Sequence, residues 1–166
     1  MAFADPNGIQ AAIAWLLGDL SRARLSGAAL SLAGVLTLTI GLWARSHELD
    51  ALLMGEEAAA SLGIEVASAR RKLMIATSLL VALTVAAAGM IGFVGLVVPH
   101  FVRKLAGPLH DRLIPLCAIW GAGAVTAADI LARVLARPYE LPVGAVTGLI
   151  GAPVFLLILL QSRKEI

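Results

Sequence analysis

RSHELDALLMGEEAAASLGIEVASARRK, Arg45 to Lys72, is the one long charged interval between apolar runs of membrane grade. Basic residues stand at its two ends (Arg45; Arg70, Arg71, Lys72) and carboxylates fill its middle (Glu48, Asp50, Glu56, Glu57, Glu65). Leu49, Leu52 and Leu53 recur at i, i+3 and i+4, which predicts a short amphipathic helix. Gly55 interrupts it, Glu56 to Leu62 suits a second turn or two, and Gly63 supplies a stop. Two short helices held just off a membrane by flanking cations make either a docking platform or a plain solvated connector. Composition and spacing leave both open.

On either side of this loop the chain is too apolar for a soluble domain. Of its 166 residues 60% are hydrophobic and only 14% charged, with a mean hydropathy of +0.92. Leu25 to Ala44 carries no charge and is long enough to span, since ~20 residues cross a bilayer core. Gly27, Gly34 and Gly41 recur there every seven residues, a small-residue face that lets another helix approach closely. Leu73 to Val102 is also uncharged, but as one helix it would measure ~45 Å against a core of ~30 Å. Gly89, Gly92 and Gly95, followed by Pro99, mark where it breaks. One span to about Ala88, a reversal and a helix returning to about Leu105 are therefore expected. Leu113 to Leu135 is the next span, and Leu141 to Leu160, with Gly144-x-x-x-Gly148 as a second packing face, is the last. The fold class is an all-α polytopic membrane protein with about five transmembrane helices.

The cations suggest an orientation. If the Arg45 to Lys72 loop is cytoplasmic, Arg103, Lys104, Arg112, Arg163 and Lys164 also fall inside. Arg22, Arg24, Arg133 and Arg137 stay outside, which fits the positive-inside rule. Residues 1–24 then form a short outer-side segment with no signal peptide or earlier span to deliver it, so truncation is expected.

No catalytic constellation is visible. A phosphate-binding G-x-x-x-x-G-K-[ST] loop is missing, and His47, His100 and His110 lack metal-ligand spacing. The residues suggest neither a cofactor nor a metal. Cys117 is single and sits in an apolar run, and a net charge of +2 makes no case for nucleic acid. Asp129 and Arg133 are four apart with the acid first, the favourable order for a helical ion pair. Pro142 and Glu140 suit a helix start.

Glu57-Ala58-Ala59-Ala60-Ser61-Leu62-Gly63 has the spacing of the EAA-x-x-x-G motif and resembles the coupling loop of ABC importer permeases. Downstream, GMIGFVGLVVPHFVRKLAGPLHDRLIPLCAIWGAGAVTAADILARVLARPYELPVGAVTGLIGAPVFLLILL resembles the FecCD-type permeases of iron-siderophore, haem and cobalamin uptake. Ala14-Trp15-Leu16-Leu17-Gly18-Asp19-Leu20-Ser21 is similar to a segment from the middle of such permeases. The resemblance covers nearly the whole chain but only the C-terminal half of a ten-helix type permease. It implies a permease subunit of the bacterial plasma (inner) membrane that works by alternating access. It implies as partners a separate ATP-binding subunit that hydrolyses ATP, a periplasmic or lipoprotein substrate-binding protein and a second permease copy. The motif assigns ATPase coupling to Glu56, Glu57, Ala58, Ala59, Ala60, Leu62 and Gly63. Arg133, with Arg137, takes the position of arginines that dock the binding protein, a role compatible with the ion pair. Two rival readings remain: a non-transporting scaffold or accessory subunit derived from such a permease, and a secondary-carrier half. The carrier ranks last, because Asp129 is the one strong intramembrane candidate for an ionisable group and lies toward a span's end.

Overall fold

The computed structural model describes residue 8 and residues 15–18, 25–135 and 141–162. From Leu25 on, the helices bounded among the described residues are, in order, α1 Leu25–Trp43, α2 Ser46–Leu53, α3 Glu56–Ser61, α4 Val66–Ala88, α5 Val94–Ala106, α6 His110–Leu135 and α7 Val143–Ser162, with no strand among those residues. Helices α4, α6 and α7 are long and apolar enough to cross a membrane. A fourth candidate is the pair α1 and α2, counted together across a bend of 56°. Helix α5 has 13 residues, ~20 Å at 1.5 Å per residue, and is by itself shorter than a ~30 Å core. Leu30 on α1 and Leu149 on α7 are 78% and 79% exposed, a loss of free energy in water and none against lipid tails. The protein is a multi-pass membrane protein.

Helix ends follow local chemistry. Gly63 takes φ +81°, its N–H donates to Ala60 O at 2.9 Å, and Ile64 N–H donates to Ala59 O at 3.1 Å. This pair of bonds is the Schellman closure, whose left-handed residue is most easily a glycine. Glu56 and Glu57 occupy the first turn of α3, where carboxylates favour the positive end of the helix dipole. Helix α4 starts at Val66, seven residues ahead of the apolar run at Leu73, so Arg70, Arg71 and Lys72 stand on helix rather than loop. The break between α4 and α5 falls among the expected glycines, with φ of +72° at Gly89, but the other left-handed residue there is Phe93 at +65°.

The chain divides into two compact units. The first comprises 1–23, 88–100 and 119–166, and the second 24–87 and 101–118. In the first, Ala128 and Ala132 of α6 form a buried cluster with Val143 and Val146 of α7. Backbones also meet closely: Val143 N–H donates to Gly18 O at 2.9 Å. A Cβ on Gly89 would collide with Trp15 O, and one on Gly144 with Leu17 O. In the second, Leu42, Ala51, Ala59, Ala69, Leu73, Val102 and Leu113 are buried. There, a Cβ on Gly34 would lie 3.0 Å from Leu83 Cδ1, so α1 and α4 approach at that glycine.

Candidate functional site

The two short helices of the charged loop form the site that the sequence singles out. Gly55, at φ +106°, separates α2 from α3 and lets the chain turn. Within the motif the residues do not share one environment. Ala59 is 0% exposed, Ala58 is half-buried, and Glu56, Glu57, Ala60, Leu62 and Gly63 are exposed, Leu62 at 66%. Ala59 is thus turned inward, and the exposed face carries Glu57, Ala60 and Leu62. Glu56 is tied back to α4, its Oε1 accepting from Arg70 Nη1 at 2.9 Å, although both side chains are solvent-exposed and the pair contributes little.

Beside these helices runs an open groove of about 680 Å³, lined among others by Asp50, Leu53, Met54, Leu62, Pro108 and Leu109. Asp50, one of its lining residues, makes specific polar contacts. Asp50 Oδ1 accepts the backbone N–H of His110 at 3.0 Å and lies 2.6 Å from His110 Nδ1. Burial alone would raise the Asp50 carboxyl. The hydrogen bonds from the His110 backbone and ring, with the charges of His110 and His47, outweigh it and hold the pKa below its ordinary value. Trp43 Nε1 donates to Asp111 O at 2.7 Å. Neither contact was visible in the sequence, where the partners lie 60 and 68 positions apart. One cue was present: Pro115 has no N–H, which leaves the carbonyl four residues before it, Asp111, without a helical donor.

The remaining predicted residues lie elsewhere. Arg133 Nε donates to Asp129 Oδ2 at 2.8 Å, with the arginine side chain 54% exposed and the aspartate 23%. Arg137 lies outside the described residues, as do Glu140 and most of residues 1–24. Of the seven-residue glycine series, Gly34 meets Leu83, whereas Gly27 and Gly41 face open space. Gly144 meets backbone and Gly148 faces open space. His100 Nε2 is buried with no hydrogen-bond partner among the described residues. Among those residues no group of three His, Cys, Asp or Glu gathers to hold a metal.

A helical multi-pass membrane protein with a paired-helix loop is the class that this geometry defines. The FecCD transport family matches residues 1–161, and the chain belongs to that family. An ABC transporter permease of Bacillus subtilis is 45% identical over 150 residues, covering 90% of this chain and 42% of the relative. The hemin transport system permease of Yersinia pestis is 39% identical over 152 residues, covering 91% and 45%. The vitamin B12 import system permease of Vibrio cholerae is 39% identical over 163 residues, covering 98% and 49%. A solved ABC transporter assigned to the metal-chelate type, in an inward-facing conformation, superposes with a TM-score of 0.89 at 30% identity, covering 96% of this chain and 52% of that one. The chain spans about half the length of the curated relatives it matches.

Proposed function

We propose that this chain is the C-terminal half of a binding-protein-dependent ABC importer permease for an iron chelate, haem or a corrinoid. It sits in the bacterial inner membrane with the Arg45 to Lys72 loop in the cytoplasm. Five membrane passages, with α5 as a short returning one, place Arg133 and Arg137 outside, where they dock a substrate-binding protein. Two permease copies and two ATP-binding subunits complete the transporter, and ATP hydrolysis belongs to the latter. The observation that carries the reading is the split of the Glu56 to Gly63 motif. Its capped helix is anchored inward by fully buried Ala59 and presents Glu57, Ala60 and Leu62 outward. A rigid helix seated in a cleft of the ATPase passes a rigid-body movement to the spans on either side, and alternating access follows from that movement. The open faces at Gly27, Gly41 and Gly148 receive helices of the other half and of the second copy.

The test is substrate uptake by the complete permease, reconstituted with its ATP-binding subunit and binding protein. Leu62→Asp and Ala60→Trp, which change only the exposed face, are expected to abolish uptake and stimulated ATP hydrolysis while the binding protein still docks outside. Uptake and stimulation that both survive these substitutions would overturn the coupling assignment. A wild-type assembly that forms but never transports would favour a scaffold instead.

A further inference from the structure

The first turn of α6 carries two backbone groups that its own helix cannot satisfy. The His110 N–H lies in the first turn, ahead of any carbonyl it could reach along the helix. The Asp111 carbonyl would accept from residue 115, but that residue is Pro115. One group is a donor and the other an acceptor, and both are filled from the loop end of α1 and α2. Asp50 Oδ1 accepts from His110 N–H at 3.0 Å, and Trp43 Nε1 donates to Asp111 O at 2.7 Å. The match extends to charge and to the ring. A carboxylate at a helix N-terminus is favoured by the dipole, and the same oxygen lies 2.6 Å from His110 Nδ1. The Asp50 and His110 side chains are only 21% and 14% exposed, so water competes weakly for these bonds.

Covalent continuity already joins the loop to α1 on one side and to α4 on the other. From the two filled groups we infer that Asp50, assisted by Trp43, is a positioning residue that fastens the two-helix loop to the start of α6. This adds a third helix to those that move when the loop moves. The clamp rests on the importer reading, because it matters only where a partner displaces the loop. It acts through α6 and touches no substrate. Its signature is therefore the ratio between two activities. Without the clamp, the loop still follows the ATPase, but α6 no longer follows the loop.

The experiment uses the complete transporter in vesicles: the full permease containing these residues, its ATP-binding subunit and its binding protein. Substrate translocated per ATP hydrolysed is compared for wild type, Asp50→Leu, Asp50→Asn and Trp43→Phe, with retained ATP-binding subunit measured alongside. Asp50→Leu is expected to lower the ratio about tenfold, the scale of one charge-assisted hydrogen bond, while the ATP-binding subunit stays bound and hydrolysis continues. Asp50→Asn keeps an oxygen that can accept from His110 N–H and should recover part of the loss. Trp43→Phe should give a smaller drop. An unchanged ratio in every variant overturns the clamp, and so does a parallel fall in assembly, hydrolysis and uptake in Asp50→Asn and Trp43→Phe. If Asp50→Leu fails to assemble, Asp50→Asn and Trp43→Phe decide, since neither adds bulk. Wild type that neither binds the ATP-binding subunit nor transports removes the importer reading and this inference with it. Wild type and variants that couple equally well remove the clamp alone.

Discussion

In the unit that holds α2 and α3, segments far apart in sequence are joined by side chains reaching to polar groups: Trp43 to Asp111, Asp50 to His110, Arg70 to Glu56. In the unit that holds α7, distant segments are joined where side chains are missing. Gly18, Gly89 and Gly144 let three stretches of backbone touch, and Gly151 makes room for the ring of Phe93, which stacks obliquely near Phe155 with centroids 6.5 Å apart. The first kind of junction yields in steps, since each substitution removes one bond of modest net strength. The second tolerates no addition, because the first methyl group meets main chain, or at Gly151 a Cβ fixed to main chain, that cannot step aside.

The largest effect is therefore expected at the backbone contacts. Gly89→Ala would drive a Cβ into Trp15 O and force a non-glycine residue to φ +72°. Together these should cost about 3 kcal/mol or more. Thermal unfolding of the purified complete permease in detergent measures it, and Gly89→Ala melting with wild type would break the comparison. Gly151→Ala should cost somewhat less, about 2–3 kcal/mol, because φ at Gly151 is ordinary, but its obstruction is the Phe93 Cβ, which ring rotation cannot move. Gly148→Ala, which meets no atom of this chain within 4 Å, should fall below both.

A smaller effect separates the polar junction by pH. The Asp50 carboxyl is held below its ordinary value of 3.8, so its contribution is complete above that value and is lost as pH falls through the lowered one. Between pH 6 and about pH 3, wild-type permease should lose more thermal stability than Asp50→Asn, with the curves diverging below about pH 4. Parallel curves would show that the carboxylate contributes nothing to the junction.

The sequence carried the elements better than their junctions. Long apolar runs located α1, α6 and α7, because length with little or no charge is itself the physical requirement for a span. Gly63 was legible as a helix stop, since a Schellman closure needs a left-handed residue. The start of α4 was not: Arg70, Arg71 and Lys72 read as the loop's basic edge, yet helix continues through them as far back as Val66. Cations break a hydropathy pattern without breaking a helix. The glycines at 89, 92 and 95 marked a break but not its left-handed residues, one of which is Phe93, held by the room that Gly151 leaves. Within the motif, spacing selected Glu57 to Gly63 but could not separate inward Ala59 from outward Ala60 and Leu62, because a six-residue helix has no repeat from which to read a face.

That division between Ala59 and Leu62 is open to direct test. A photoreactive side chain is placed at position 62 or at position 59 of the complete permease, and the assembled transporter is irradiated in membranes. Crosslinks from position 62 to the ATP-binding subunit are expected. From position 59, where Ala59 is fully buried in the chain itself, crosslinks are expected only within the permease. Crosslinking of position 62 to lipid or to an outer-side protein, with none to the ATP-binding subunit, would contradict the coupling assignment.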